Sequence, residues 1–429
     1  MSVYSLMSEK EQNAEYEKLR NEYQRYQGLA LNLDMSRGKP CTDQLELTMD
    51  LLDCVNSRSG AFSRDGLDCR NYGLLQGLPE ARELMAAMMG VAPDEVIVGG
   101  SSSLNMMYDA VSRAMTHGLP GSDKPWGRQE ELKFLCPVPG YDRHFAITQY
   151  FGIKMIPIEM DEHGPNMDQV EALVNNDPAV KGIWCVPKYS NPSGITYSRE
   201  TVHRFARLRP AAPDFRIFWD NAYGIHDLYE DKADQLENLM DLCKASGKED
   251  MVYIFCSTSK ISFSGSGLAA MAASKRNIEH ISSSMSIQTI GHNKLNQLAH
   301  VRFFKDIDHM KEHMKKHAAI LRPKFSIVLD TLQARLGGLG IASWHKPLGG
   351  YFISLDVEKG CAKRTVELCR QAGVKLTPAG ATYPYGVDPD DSNIRIAPTF
   401  PPEQELQTAA ELLCLCTRMA TLERLMSRM

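Results

Sequence analysis

Short apolar runs alternate with helix-forming stretches from about residue 80 onward, and this alternation constrains the fold more than any other feature of the chain. The runs lie at 95–98, 132–136, 153–158, 183–186, 215–219 and 251–255. Each has the length of a buried strand. Strands separated by helices form βαβ units, in which helices cover both faces of a mostly parallel sheet. We therefore predict an α/β fold whose ligand site lies at the carboxyl ends of the strands.

The segments outside this sheet predict a second, smaller lobe. Residues 8–28 are rich in charged residues and Gln and carry apolar residues at helical spacing, so we expect an amphipathic helix packed on that lobe or on a partner subunit. After residue 306 a long helical stretch contains Pro323, which should kink or end it. A strand at 351–355 and a helix at 403–425 complete an α+β lobe. The predicted domains are an N-terminal helix and arm at 1–44, a large domain at 45–305 and a small domain at 306–429.

Composition and charge exclude several classes of protein. The net charge of the 429-residue chain is −5 with both signs interspersed, which argues against nucleic-acid and membrane-surface partners. No apolar run approaches the roughly twenty residues that a membrane span needs, and the N-terminus lacks the apolar core of a signal peptide. We expect a cytoplasmic protein. The 11 cysteines are scattered and several lie inside apolar runs, so we interpret them as buried free thiols.

Lys260 is the first candidate for chemistry. It follows the apolar run 251–255 and the hydroxyl-rich residues 256–259, and the small residues 262–267 come after it. This pattern places an amine in a loop beyond a buried strand, where backbone can approach a bound group closely. Such an amine could form a Schiff base with a phosphorylated aldehyde. The alternative is a solvated surface lysine, which is common in loops of this kind.

Three further polar residues stand at comparable places. Asp220, with Tyr223 three residues later, follows the strand-like run 215–219, and Asn191 lies in the turn-rich loop after 183–186. Arg395 lies inside an apolar segment, where a guanidinium needs a carboxylate or phosphate partner. Taken singly, Asp220 could be a helix cap and Asn191 part of a plain turn.

Together these residues resemble, in type and order, the fold type I pyridoxal-phosphate enzymes, specifically the class I and II aminotransferases. The resemblance covers nearly the whole chain. Three segments, 36–40, 260–263 and 294–298, look more narrowly like the divergent aspartate aminotransferase subgroup, which is related to the aminotransferase half of MocR-type regulators. The resemblance implies a large domain, at 45–305, that binds pyridoxal 5′-phosphate on a mostly parallel seven-stranded sheet.

The resemblance assigns roles around the cofactor ring. It implies that Lys260 forms the internal aldimine and, once displaced by substrate, moves the proton between Cα and C4′. Asp220 corresponds to the partner of the pyridinium nitrogen. Asn191 and Tyr223 correspond to the residues that hydrogen-bond the ring's phenolic oxygen. Tyr141 resembles the aromatic residue that stacks on the ring, although a core tyrosine is the alternative.

A phosphate site is expected where backbone N–H groups at a helix start meet serine hydroxyls. The residues with this expected role are Gly100, Ser101, Ser102, Ser257 and Ser259. Tyr72 resembles the tyrosine that reaches the phosphate of the neighbouring subunit, which implies a homodimer with shared active sites. The family usually has an arginine at the position of Leu268, so hydroxyls and amides of 264–267 must take over its part.

The substrate would be held by its carboxylates. The resemblance implies that Arg395 binds the α-carboxylate in a bidentate fork, with Asn191 and the backbone of Gly38 alongside. For a distal carboxylate the candidates are Arg37, Lys39, Arg143, His292 and Lys294. The last two lie in a segment that the family often contributes across the dimer.

One further pattern imitates a metal site. His309, His313 and His317 recur every four residues, which places them on one face of a helix. Their neighbours are mostly charged, so we interpret this as a solvated helix face and expect no metal.

The predicted function is transfer of an amino group from an acidic amino acid, L-aspartate foremost, to 2-oxoglutarate. An aminotransferase for aromatic or branched-chain amino acids and a carbon–sulfur lyase remain alternatives, because the sites for cofactor and α-carboxylate are common to all. A MocR-like regulator needs a DNA-binding domain, and the roughly thirty residues before Ser36 have room for one helix only.

Overall fold

A computed structural model describes residues 2–427. The strands, in chain order, are β1 (Leu33–Asp34), β2 (Val96–Val98), β3 (Lys133–Val138), β4 (Lys154–Asp161), β5 (Gly164–Pro165), β6 (Val180–Cys185), β7 (Arg216–Asp220), β8 (Val252–Ser257), β9 (Ala269–Ala272), β10 (Ala342–Trp344), β11 (Ile353–Val357), β12 (Val374–Lys375) and β13 (Asn393–Ile396). The α-helices are α1 (Glu9–Gly28), α2 (Thr42–Glu46), α3 (Pro79–Met89), α4 (Ser103–His117), α5 (Asp142–Tyr150), α6 (Met167–Val174), α7 (Arg199–Arg207), α8 (Leu239–Ala245), α9 (Lys275–Gln288), α10 (Lys294–Phe304), α11 (Ile307–Leu336), α12 (Ala362–Gln371) and α13 (Glu403–Met426).

The large sheet has the strand order β2-β9-β8-β7-β6-β3-β4-β5. Its centre is parallel from β8 through β7, β6 and β3 to β4. β9 is antiparallel to both of its neighbours, and the two-residue β5 pairs with β4 in a short antiparallel turn at the edge. The predicted mostly parallel, seven-stranded α/β sheet is thus confirmed, with β5 as a short addition.

The side chains of this sheet alternate between two apolar clusters. Ile183 and Ile217 belong to the cluster on one face, and their neighbours Trp184 and Phe218 belong to the cluster on the other. Such continuous apolar runs are typical of parallel strands that are buried on both faces. The carboxyl ends of β6, β7 and β8 are therefore held at one edge by a core that leaves them little freedom.

The small lobe packs around a three-stranded antiparallel sheet, β10-β11-β13, with its own apolar cluster. α1 lies on α13, as the sequence predicts. The Tyr16 hydroxyl donates to Glu423 at 2.8 Å, and Arg418 contacts Glu15 at 2.6 Å. The arm after α1 also joins this lobe, because β1 pairs in parallel with β12.

Pro323 was expected to kink or end its helix, and it does not end it. α11 runs from Ile307 to Leu336 through that proline. Leu321 and Phe325 on either side of it are buried in the cluster of the small lobe. Proline removes only one backbone donor from the helix, so packing on both sides can hold the helical path.

The cysteines and the helices bear on two expectations from the sequence. All 11 cysteines lie in the described part of the chain as free thiols, and every one except Cys54 is buried, as predicted. Between residues 2 and 427 no helix has the length and apolar character that crossing a membrane requires.

Candidate active site

A cavity of about 1190 Å³ opens where β6, β7 and β8 end, and the small lobe supplies its other wall. Its lining brings together most of the predicted site residues, which are Gly38, Ser102, Tyr141, Asn191, Asp220, Tyr223, Ser257, Ser259, Lys260 and Arg395. Gly100 and Ser101 lie just behind this lining. The Ser259 hydroxyl donates to the Ser101 carbonyl at 2.9 Å, and the Gly100 carbonyl accepts from the Ala269 amide.

Lys260 presents its amine to this cavity. Its Nζ lies 5.2 Å from the centre of the Tyr223 ring and 5.9 Å from that of Tyr351. Removal from bulk water lowers the pKa of the Lys260 amine, and the Asp220 carboxylate opposes that shift. A lowered pKa increases the neutral fraction of the amine, which is the form that attacks a carbonyl or accepts a proton.

Asp220 is the last residue of β7 and has one satisfied and one unsatisfied carboxylate oxygen. Its Oδ2 lies 2.9 Å from Nε2 of His144, and both side chains are buried. The His144 ring stacks on Trp184 with centroids 4.5 Å apart. The Oδ1 atom is buried and has no hydrogen-bond partner in the described part of the chain. A buried carboxylate oxygen without a partner is costly, so Asp220 is arranged for a donor that a bound group brings.

His144 is a site residue that the sequence reasoning missed. It lies on α5, three residues after Tyr141, and its imidazole supports Asp220 from the side opposite the free oxygen. A signal was available, because a histidine in the first turn of a helix that follows a strand's carboxyl end lies near the predicted site. Its partner 76 residues away could not be recognised from local pattern.

Two tyrosines beside Asp220 stay protonated. Burial raises the pKa of Tyr141 to about 12, and burial also raises the pKa of Tyr223 well above its ordinary value. Both hydroxyls are therefore donors at neutral pH. Asn191 is buried next to them, and its Oδ1 accepts from Nη1 of Arg395 at 3.4 Å.

One end of the cavity is formed by serine hydroxyls and the start of a helix. Ser102 is the N-cap of α4, and Ser257, Ser259 and Ser264 share the same lining. The N-terminus of this 15-residue helix favours a phosphate. Leu268 contributes no charge here, because its side chain is apolar; it is buried, and its amide donates to Thr258 Oγ1 at 2.8 Å.

Arg395 on β13 lies in the wall of the cavity that the small lobe supplies. Its side chain is only 8% exposed, and its Nη1 lies 2.7 Å from the Asp142 carboxylate. The guanidinium carbon also lies 5.2 Å from the centre of the Phe352 ring. Gly38 packs on the same ring, and a Cβ at that position would come within 2.4 Å of Phe352. A side chain at position 38 would therefore displace Phe352, the ring that lies beside Arg395.

The candidates for a distal carboxylate divide into two groups. Arg37, Lys39 and Arg143 line the cavity, whereas His292 and Lys294 do not. Lys294 is buried and donates to the Gly73 carbonyl at 2.9 Å. Burial lowers the pKa of His292. Tyr72 is also outside the lining of its own chain's cavity, and 79% of it is exposed.

The prediction of a solvated face for the three spaced histidines is wrong for two of them. His309 is exposed, but His313 and His317 are buried, with their Nε2 atoms 3.0 Å apart. Gln44 bonds His317, and Thr48 bonds His313, because α2 and the residues just after it pack over this part of α11. Among residues 2–427 no group of three His, Cys, Asp or Glu side chains is placed to hold a metal.

Comparison with known proteins agrees with this architecture. The family model described as aspartate amino-transferase matches residues 7–429. An aspartate aminotransferase of Corynebacterium glutamicum is 43% identical over 95% of this chain and 94% of its own length. The crystal structure of an aspartate transaminase from the same species superposes with a TM-score of 0.95, at 41% identity and 99% coverage of both chains. The aspartate aminotransferase of Thermus thermophilus with maleate has the same fold, with a TM-score of 0.68 at 16% identity over 95% of this chain and 96% of that one.

The fold and these relatives define an enzyme of the fold type I aminotransferase class, whose members use pyridoxal phosphate and act on amino acids and 2-oxo acids. Within that class, the chain belongs to the aspartate aminotransferase family.

Proposed function

We propose that this enzyme binds pyridoxal 5′-phosphate in the cavity and moves the amino group of an acidic amino acid, L-aspartate foremost, to 2-oxoglutarate. The observation that carries the proposal is the buried, partnerless Oδ1 of Asp220 in a cavity that also presents the Lys260 amine. A carboxylate aimed at a cationic ring nitrogen and an amine available to an aldehyde are the two groups that this cofactor requires. The relatives named aspartate aminotransferase support the choice of donor.

The residues present fit the cofactor from end to end. Asp220 would bond its ring nitrogen, Asn191 and Tyr223 its phenolic oxygen, and Tyr141 one face of its ring. Ser102, Ser257 and Ser259, with the start of α4, would hold the phosphate, and Gly100 and Ser101 would shape that loop. When bound, the cofactor supplies an electron sink for the charge that develops at the substrate Cα.

The chain itself moves the proton. The Lys260 amine takes the Cα proton, because burial lowers the pKa of the amine and so increases its neutral, basic fraction. His144 holds the Asp220 carboxylate in place through its Oδ2, and the stack on Trp184 fixes the imidazole. Asp220 can therefore keep its charge and orientation while the proton at Cα is transferred.

The charges of the cavity support a dicarboxylate substrate. Arg395 would bind the α-carboxylate, with Asn191 and the Gly38 backbone beside it. The cavity is also lined by the cations Arg37, Lys39, Arg143, Lys363, Arg370 and Lys375, against the carboxylates Asp142, Asp220 and Glu367. A positive cavity of this kind attracts substrates with two carboxylates more strongly than those with one.

We also propose a homodimer with shared sites. Tyr72 lies at the surface near other exposed apolar residues, and the buried contact of Lys294 with Gly73 joins the two segments concerned. The exposed apolar residues on these segments are Tyr72, Leu74, Ile287 and Ile290. Such a surface is costly in water and is typical of an interface. In a dimer, Tyr72 would reach the phosphate of the neighbouring site.

A donor screen tests the proposed substrate class. Aspartate and glutamate should exceed alanine, leucine and phenylalanine by about tenfold or more in kcat/KM, because a neutral side chain leaves a distal cation unpaired. Replacing Arg37, Lys39 or Arg143 with Gln should identify that cation by lowering only the acidic rates. Arg64→Gln, which breaks a surface pair with Glu83 outside the cavity, is the control. Better rates with aromatic or aliphatic donors would reject the acidic substrate and retain the aminotransferase.

A labelling experiment tests the site itself. Borohydride reduction of the holoenzyme should fix the cofactor on the peptide that carries Lys260. Cofactor on another lysine would reject the assignment. Elimination of sulfur from cysteine-type substrates without amino transfer would instead indicate a lyase, and specific retardation of DNA would indicate a regulator.

A further inference from the structure

Asp142 pairs with the guanidinium group of Arg395, which is the proposed binding group for the substrate α-carboxylate. It is the first residue of α5, and its Oδ1 lies 2.7 Å from Nη1 of Arg395. The Arg395 side chain is 8% exposed and that of Asp142 is 34% exposed, so the pair is partly shielded from water. Both residues line the cavity. A carboxylate of the protein itself therefore stands at the proposed carboxylate-binding arginine.

The hydrogen bonds of Arg395 show which N–H groups of its guanidinium already have partners. Nη1 donates to Asp142 and, at 3.4 Å, to Asn191, while Nε donates to Thr377 at 3.3 Å. Within residues 2–427 no partner of Nη2 meets hydrogen-bond geometry. A bidentate carboxylate needs two adjacent N–H groups. An incoming carboxylate that bonds Nη2 must therefore replace Asp142 or Asn191 at Nη1, or Thr377 at Nε, to gain a second bond.

We infer that Asp142 is a resident carboxylate that competes with the substrate α-carboxylate for Arg395 and is displaced when substrate binds. This inference rests on the proposed role of Arg395. A nearly buried guanidinium without a counter-ion is unstable, and Asp142 supplies that counter-ion while the site is empty. Substrate then exchanges one carboxylate for another. Asp142 is thus a specificity determinant, because a molecule without a carboxylate cannot displace it.

The exchange reduces the apparent affinity for every substrate that uses Arg395. If Arg395 is free of Asp142 in only a fraction of the molecules, only that fraction can bind substrate. The apparent dissociation constant is then the intrinsic constant divided by that fraction. The effect should be equal for amino acids and for 2-oxo acids, because both have the same carboxylate. Cations in the same cavity, such as Arg37, Lys39 and Arg143, provide partners for the displaced Asp142.

The inference is tested by measuring the dissociation constant of succinate for the holoenzyme by calorimetry. The KM values for aspartate and for 2-oxoglutarate are measured alongside. Asp142→Asn should lower the dissociation constant of succinate and both KM values by about three- to tenfold. Asp177→Asn is the matched control, because it also removes one carboxylate but Asp177 pairs with Lys133 at 2.8 Å outside the cavity. It should show no such gain. Equal or weaker succinate binding by Asp142→Asn would overturn the inference.

Substitution of Arg395 separates this inference from the proposed function. Arg395→Gln should weaken succinate binding strongly, and adding Asp142→Asn to it should restore nothing. If Arg395→Gln leaves binding unchanged, the proposed role of Arg395 fails. If Arg395→Gln weakens binding while Asp142→Asn alone changes nothing, only the competition fails. Should Asp142→Asn not yield folded holoenzyme, Asp142→Ser, which keeps a polar group at the start of α5, gives the same comparison.

Discussion

Replacement of Asp220 by Asn is the most direct test of the candidate site. Asp220 is 3% exposed, its Oδ2 is held by His144, and its Oδ1 has no hydrogen-bond partner among residues 2–427. Asn has nearly the same shape, so the fold and the contact with His144 should be preserved. The change removes the negative charge that the free oxygen offers to the cofactor's ring nitrogen.

The size of the effect follows from this burial. Two unit charges about 4 Å apart at an effective dielectric constant of about 20 attract by about 4 kcal/mol. The amide retains a neutral hydrogen bond of about 1 kcal/mol, so most but not all of the stabilisation is lost. Because about 1.4 kcal/mol corresponds to tenfold in rate, kcat should fall by roughly 100- to 1000-fold.

The assay compares turnover with cofactor occupancy in the same preparation. Occupancy, measured from the absorbance of the bound cofactor, should fall far less than kcat, because Ser102, Ser257 and Ser259 still hold the phosphate. Asp177→Asn is the control, since Asp177 pairs with Lys133 at the amino end of β3, away from the cavity. Near wild-type kcat in Asp220→Asn would show that Asp220 serves only to hold His144, and the cofactor assignment would fail.

Three other outcomes are expected. Lys260→Ala should bind cofactor but lose several orders of magnitude in kcat, and a variant that kept its turnover would reject Lys260 as the base. Heterodimers of Tyr72→Ala with Lys260→Ala should regain activity, because one hybrid site has both residues; verified heterodimers without activity would indicate single-chain sites. Burial lowers the pKa of His317 to about 3. As the pH falls below about 6.5, His317 is therefore protonated in the unfolded state but stays neutral in the folded state. Stability should therefore fall by up to about 1.4 kcal/mol per pH unit for this group, and His317→Gln should make chemical denaturation between pH 6.5 and 5 less pH-dependent. His309→Gln, at an exposed position of the same helix, should not, and equal slopes for both variants would contradict the assignment.

Parts of the fold with a strong local pattern were predictable. The parallel strands were recognisable because each is a continuous apolar run, and α1 because its apolar residues recur at helical spacing. β9 escaped prediction, since Ala269–Ala272 has small residues without an alternating pattern and is a strand only because β2 and β8 pair with it. Local pattern also could not decide whether the helix continues past Pro323, because packing on both sides of the proline holds the helical path.

The sequence by itself determined which residues reach the cavity from the strand ends. In a parallel sheet the carboxyl ends meet at one edge, so Asn191, Asp220 and Lys260 had to converge once their strands were recognised. Only the tertiary structure decided what surrounds them. The contact of Asp220 with His144 joins residues 76 positions apart, and that of Arg395 with Asp142 joins residues 253 apart. The first pair depends on how α5 packs on the large sheet and the second on how the two lobes pack, and no local periodicity encodes either arrangement.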